Sequence, residues 1–190
     1  MSRSRSREMD LTTGSPFWSL LKFAIPVILG NLFQLFYTLA DSVIVGKTLG
    51  AESLAAVGST SIIIYFVFCF INGFTGGFGI CLGQRCGAKD EQGMRKSIAV
   101  STLLSIAFTV VLTLVCCLLS RQILVWMQIP DDIAEEANAY MFVVLLGTGA
   151  TVFYNMISNM LRALGDSKTP LYFLVFSSVL NIILDIVFIV

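Results

Sequence analysis

The sequence predicts an all-α polytopic membrane protein with five transmembrane helices. Three observations carry that expectation. Of 190 residues, 56% are hydrophobic and only 13% charged, with a mean hydropathy of +0.87, a density of apolar runs that belongs to membrane proteins rather than to a large soluble core. Five apolar segments are each long enough to cross the roughly 30 Å of bilayer hydrocarbon. The basic residues between them fall almost entirely on alternate connections.

The elements follow in order. Residues 1–16 alternate Arg with Ser and then turn acidic. The long apolar stretch that follows lacks a small-residue cleavage pattern, so a solvated cytoplasmic tail is expected in place of a signal peptide. An RNA-binding Arg/Ser tail is the alternative. The twelve basic and twelve acidic residues of the whole chain balance, giving no pull toward nucleic acid, and no nucleic-acid partner is expected. The segments expected to span run over 17–45, 54–83, 97–119, 138–161 and 170–190, within one lobe of residues 17–190. The first is overlong and contains Pro26 and Gly30, which predicts a tilted or kinked helix. The second holds Gly73, Gly77, Gly79, Gly83 and Gly87, spacings that allow close helix packing or a sliding surface. Short polar connections cover 46–53, 84–96, 120–137 and 162–169.

With the N-terminus inside, the inner side carries Arg3, Arg5, Arg7, Lys22, Arg85, Lys89, Arg95, Lys96, Arg162 and Lys168, and the outer side only Lys47 and Arg121. The acidic connection around Asp131, Asp132, Glu135 and Glu136 then lies outside. The expected location is a multi-pass position in the cytoplasmic membrane with the N-terminus in the cytoplasm.

Histidine is absent, which excludes His-based metal sites, Ser-His-Asp and Cys-His catalysis and imidazole proton transfer. Cys69, Cys81, Cys86, Cys116 and Cys117 contain no C-x-x-C pair and read as reduced, small apolar residues. No nucleophile–base constellation is seen, so neither an enzyme nor a cofactor is expected.

Asp41 and Asp185 stand out because each lies inside an apolar segment, and an intramembrane carboxylate is costly enough to be a functional-site hypothesis by default. Each ends a polar stripe of helical period: Asn31, Gln34, Thr38 and Asp41 in the first segment, Ser177, Asn181 and Asp185 in the last. Thr148, Thr151, Asn155, Asn159 and Arg162 form a third. Polar groups in hydrocarbon bond across helices or face a wet cavity. Both acids sit about five residues, roughly 7 Å, below the outer boundary. Two acids sharing a low-dielectric cavity cannot both ionise freely, so such a pair takes up a proton or holds a small hard cation with help from Asn oxygens. Phe33, Phe36 and Tyr37 flank the first stripe and suit lipophilic cations, or simply pack. Pro26 weakens its helix locally and marks a possible hinge.

The first segment reads I-P-V-I-L-G-N-L-F-Q-L-F-Y-T-L-A-D-S-V-I-V-G and is followed by K-T-L-G-A-E-S-L-A-A-V-G. G-Q-R-C-G-A-K-D follows the second segment and L-R-A-L-G-D-S-K-T-P-L the fourth. From about Leu20 to Val190 the chain resembles the N-terminal half of MATE (multidrug and toxic compound extrusion) transporters. The resemblance implies five helices of a six-helix N-lobe, half of a twelve-helix, two-lobe antiporter that exports organic cations in exchange for H⁺ or Na⁺. It implies an ion site at Asp41, Asn181 and Asp185 with Asn155 contributing, Na⁺ being held by the first three if it is the coupling ion. It further implies a bending helix at Pro26, a cavity lined by Gln34 and Tyr37, and a structural turn, cap and helix start at Gly165, Asp166 and Pro170.

The chain stops at Val190 within an apolar run. The expectation is a fragment, inactive until a C-terminal lobe is supplied; a complete five-span protein ending at the outer interface is the alternative. Two rival functions are a lipid-linked precursor flippase, which calls for a basic cavity, and a non-transporting membrane scaffold.

Overall fold

The computed structural model describes residues 15–48 and 50–189. Six helices follow in chain order: α1 Pro16–Thr48, α2 Gly50–Gly87, α3 Glu91–Trp126, α4 Asp131–Leu146, α5 Thr148–Ala163 and α6 Lys168–Ile189. All but the last two residues of the expected tail lie outside the described residues, as does Val190. Pro16 already belongs to α1, at the first helical position, where a missing amide hydrogen is harmless.

α1, α2, α3 and α6 are each long and apolar enough to cross a membrane. The fourth expected segment, 138–161, is not one straight helix: α4 and α5 meet at Gly147 with a bend of 42°, and the pair makes a fifth crossing when taken as one broken span. The helices also outrun their apolar stretches. Hydrocarbon thickness limits the apolar run, whereas a helix continues until a cap or turn stops it. α3 thus extends from its cap at Asp90 to Trp126, well beyond 97–119.

α2 is the central helix and packs against α1, α3, α4 and α5, while α1 pairs chiefly with α6. The larger buried cluster joins Val67 and Ile71 of α2, Cys116 and Leu124 of α3, Ile133, Ala137, Met141 and Leu145 of α4, and Val152 of α5. A smaller one joins Leu82 to Met156 and Met160. Large side chains on the outer faces, such as Leu118 and Phe188, are exposed, as lipid contact requires. Of the cysteines, Cys116 is buried and Cys69 and Cys81 are exposed; all five are free thiols.

Lipid tails are as apolar as Leu, so helix association rests on close packing and interhelical hydrogen bonds. The α2–α5 contact has both. A Cβ on Gly79 would stand 3.1 Å from the Asn159 carbonyl oxygen, and one on Gly83 3.8 Å from the Ala163 Cβ. One turn away, Asn159 Nδ2 donates to Thr75 Oγ1 at 3.2 Å. Gly73, Gly77 and Gly87 have open space where a Cβ would be, so the close approach belongs to Gly79 and Gly83. Gly79→Val should force α2 and α5 apart and destabilise the fold by about 1–3 kcal/mol. Gly77→Ala should leave the thermal midpoint in detergent unchanged, and equal melting of the two variants would exclude this contact as the reason for Gly79.

The α2–α3 turn is held by charge. Lys89 takes a positive φ of 55°, after which the Asp90 carboxylate accepts the Gly93 amide at 2.9 Å and the Arg85 guanidinium at 3.0 Å. The Gly93 amide above all, and Arg85 after it, hold the Asp90 carboxyl below the usual carboxylate range. A lowered folded value means that this cap contributes fully above an unfolded value of about 3.9 and is lost as pH falls through the lowered one. Asp90→Ala should therefore lower the melting temperature at about pH 7, with a difference that shrinks between about pH 4 and pH 2. A pH-independent difference in detergent melts would assign the loss to something other than the carboxylate.

Candidate functional site

One face of α1 builds the first wall of a cavity of about 520 Å³ between α1, α2, α5 and α6. Pro26, Gly30, Gln34 and Tyr37 recur at helical spacing along that wall, with Asn31 beside them. Pro26 is buried there, and its ring nitrogen cannot close the helical hydrogen bond to the Lys22 carbonyl. Phe68 and Asn72 come from α2, Thr151, Tyr154, Asn155 and Arg162 from α5, and Ser177, Ser178 and Asn181 from α6. The volume lies within the range of small-molecule sites.

Several of these polar groups satisfy their own helix. Asn72 Nδ2 donates to the Phe68 carbonyl at 2.9 Å, Asn155 Nδ2 to the Thr151 carbonyl at 2.9 Å, and Ser178 Oγ to the Leu174 carbonyl at 2.8 Å. Tyr154 ties α5 to α6 by donating to the Pro170 carbonyl at 3.3 Å. Two buried atoms have no hydrogen-bond partner within the described residues: Asn181 Oδ1 and Arg162 Nε.

Of the residues singled out from sequence, the cavity unites Pro26, Asn31, Gln34, Tyr37, Asn155 and Asn181. Phe33 and Phe36 are not in its lining and stand 45% and 65% exposed. At about 100° per residue, Phe36 stands about 100° round the helix from Tyr37, whereas Phe33 lies only about 40° from Tyr37, at the edge of the stripe. Asp41 is half-buried and outside the lining. Asp185 lies in α6, and its side chain is outside the described residues.

Backbone register nevertheless relates the two acids. The Cβ position of Gly30 abuts Leu171 and Leu174 at 3.7 and 3.8 Å, so these residues stand level where α1 and α6 touch. With three crossings between them, counting the α4–α5 pair as one, α1 and α6 run in the same direction. Asp41 follows Gly30 by eleven residues, as Asp185 follows Leu174. Counted from Leu174 the rise is about 16 Å for both, and counted from Leu171 about 5 Å more for Asp185, so the two backbone positions lie within about one helical turn of the same level. Among the described residues no group of three or more His, Cys, Asp or Glu side chains is placed to hold a metal.

The opposite end of the cavity rests on the α5–α6 connector. Gly165, at φ 89°, makes the reversal. The buried Asp166 carboxylate then accepts the Lys168 and Thr169 amides at 3.1 and 3.0 Å and the Thr169 hydroxyl at 2.6 Å, capping α6. Ser167 and Pro170, next to this cap, line the cavity. Asp166→Ala should destabilise by about 1–3 kcal/mol through stranded buried donors. Asp166→Asn, keeping one acceptor oxygen, should lose less in the same detergent melt, and equal losses would argue against hydrogen bonding as the cause.

Sequence reasoning did not pick out Asn72, Phe68, Tyr154, Ser167 or Ser178. Asn72 carried a signal, since it is the lone amide in the apolar run from Ile62 to Ile71 and beyond. Arg162 was on the right stripe but was assigned only to the cytoplasmic boundary.

A half-open cavity lined by amides, hydroxyls and aromatic rings, set among helices long and apolar enough to cross a membrane, defines a polytopic membrane protein with a candidate binding site. The MatE family model matches residues 26–187, and the chain belongs to that family. Probable multidrug resistance protein YpnP of Bacillus subtilis is 34% identical over 180 residues, which span 95% of this chain and 40% of that protein. A MOP-superfamily transporter from Pyrococcus furiosus, described as having a binding pocket of reverse polarity that suggests a different function, aligns with TM-score 0.89 and 30% identity. That alignment covers 97% of this chain and 41% of the other. A MATE structure in the bent conformation aligns with TM-score 0.85 and 31% identity over 93% of this chain and 39% of its own. The chain thus spans about 40% of the length of the relatives it matches.

Proposed function

We propose that this chain is the N-lobe of an ion-coupled antiporter that exports small organic cations across the cytoplasmic membrane, its N-terminus inside, in exchange for H⁺ or Na⁺. The observation that supports the reading most is the unpartnered acceptor Asn181 Oδ1 in the cavity lining, one turn below Asp185, with the backbone of Asp41 within about a turn of the level of Asp185. A carboxylate pair in a low-dielectric site binds a proton or a hard cation, and binding removes the negative charge that attracts an organic cation. Ion and substrate then compete, which is the condition for exchange. Asn155, across the cavity on α5, adds an amide oxygen within the same wall. Pro26, by weakening α1 below the acids, lets the wall bend when the charge changes.

The ten-to-two distribution of Lys and Arg supports the inward N-terminus. Alternating access requires a second lobe, so the 190-residue piece by itself is expected to bind but not to transport. A flippase for lipid-linked precursors would call for a basic cavity, whereas Arg162 is the one cationic side chain among the described lining residues.

In everted membrane vesicles, the two-lobe protein should export a cationic dye under a proton or sodium gradient. Asp41→Asn and Asp185→Asn should each reduce gradient-driven export by at least about 100-fold at unchanged membrane abundance. Gradient-driven export retained in both variants would rule the coupling site out.

A further inference from the structure

We propose that the end of the cavity at the α5–α6 connector is an anion subsite, in which Arg162 with Ser167 holds the acidic group, a phosphate or carboxylate, of an amphiphilic molecule. The proposal rests on reading this cavity as the substrate cavity. Its ligand class differs from the organic cations expected at the acidic end.

Arg162 is the only formally charged side chain among the described residues that line the cavity. Its Nε is buried without a hydrogen-bond partner. An arginine in the last turn of a helix commonly serves only the helix dipole, with its head in water. Here the dipole does not account for a donor withdrawn from solvent beside a cavity, because a buried, unsatisfied charged donor is expensive. The acidic neighbour on the connector is committed elsewhere: Asp166 accepts two amides and a hydroxyl as the α6 cap. Lys168, the other charge at this end, is exposed and outside the lining. Ser167, five residues on, is buried and adds a hydroxyl to the lining of the same cavity.

A guanidinium presents a planar fork of donors that matches an oxyanion, and the bond is strongest where water is excluded. Leu171, Leu174 and Tyr154 add apolar and aromatic surface to the lining, among the neutral hydroxyls and amides of Ser177, Ser178 and Asn155. The arrangement therefore suits a molecule with an acidic head and an apolar body. Such a molecule comes from the membrane, as a phospholipid, or from solution, as a single-chain amphiphile; the head chemistry is the same.

The test uses the two-lobe transporter purified in neutral detergent, with dodecyl phosphate as the probe. Saturable binding is expected, weakened at least about tenfold by Arg162→Gln and largely restored by Arg162→Lys. Dodecyltrimethylammonium binding should not weaken in Arg162→Gln. Competition by phosphatidic acid would support the subsite with a lipid source, and competition by soluble alkyl phosphates alone would support it with a soluble one. Equal dodecyl phosphate affinity in wild type and Arg162→Gln, or none in wild type, overturns the subsite. If Arg162→Gln does not fold, the wild type decides: dodecyl phosphate must raise its melting temperature more than dodecyltrimethylammonium and dodecyl maltoside do, and equal effects overturn the proposal. Arg162-dependent binding in a protein that shows no gradient-driven export sustains the subsite while removing the antiport reading. Intact export without such binding does the reverse.

Discussion

Hydrocarbon offers a polar group no partner, and the placement of every amide, hydroxyl and charge in this lobe answers to that fact. Several hydroxyls within the spans turn back onto the carbonyl four residues earlier, as Thr75 does toward Ile71 and Thr102 toward Ile98. Asn159 instead crosses to Thr75, where the missing side chain of Gly79 lets the two backbones approach. Of the buried polar atoms that do neither, Ser105, Thr109, Thr113 and Asn138 lie in α3 and α4, and Asn181 and Arg162 line the cavity. Packing and site are two outcomes of one constraint.

The cavity is consequently uneven along its length. At the α5–α6 connector it has a guanidinium and a hydroxyl over a rigid, fully bonded cap. Its middle is neutral amide and aromatic surface from Gln34, Tyr37, Asn72 and Asn155. Beyond Asn181 it approaches the level of Asp41 and Asp185. A charge moving along this axis meets opposite environments at the two ends, and the neutral amides between them solvate without selecting a sign.

Much of this was legible in the sequence, and the misses have physical causes. The spans were visible because apolar runs of this length have few other uses, yet their ends were not, since helices continue into water until something like Asp90 caps the next one. The break at Gly147 was hidden inside an apolar run, L-L-G-T-G-A, where hydropathy is blind to a bend. Periodicity placed Asn31, Gln34, Asn155, Asn181 and Arg162 on stripes, and the cavity collects them, though not Thr38. Phe33, Phe36 and Tyr37 were chosen as aromatic neighbours of the first stripe, and of the three only Tyr37 lines the cavity.

The bend at Gly147 also divides labour within a single crossing. α4, on one side of it, supplies four side chains to the larger buried cluster, which anchors it to α2 and α3. α5, on the other side, contributes Tyr154, Asn155 and Arg162 to the cavity and packs in the smaller cluster of Leu82, Met156 and Met160. Both segments are held, α5 by Val152 in the larger cluster and by the Gly79 and Asn159 contacts with α2. The bend at a residue without a side chain therefore lets one crossing meet two differently angled surfaces, the packed core on one side and the cavity wall on the other.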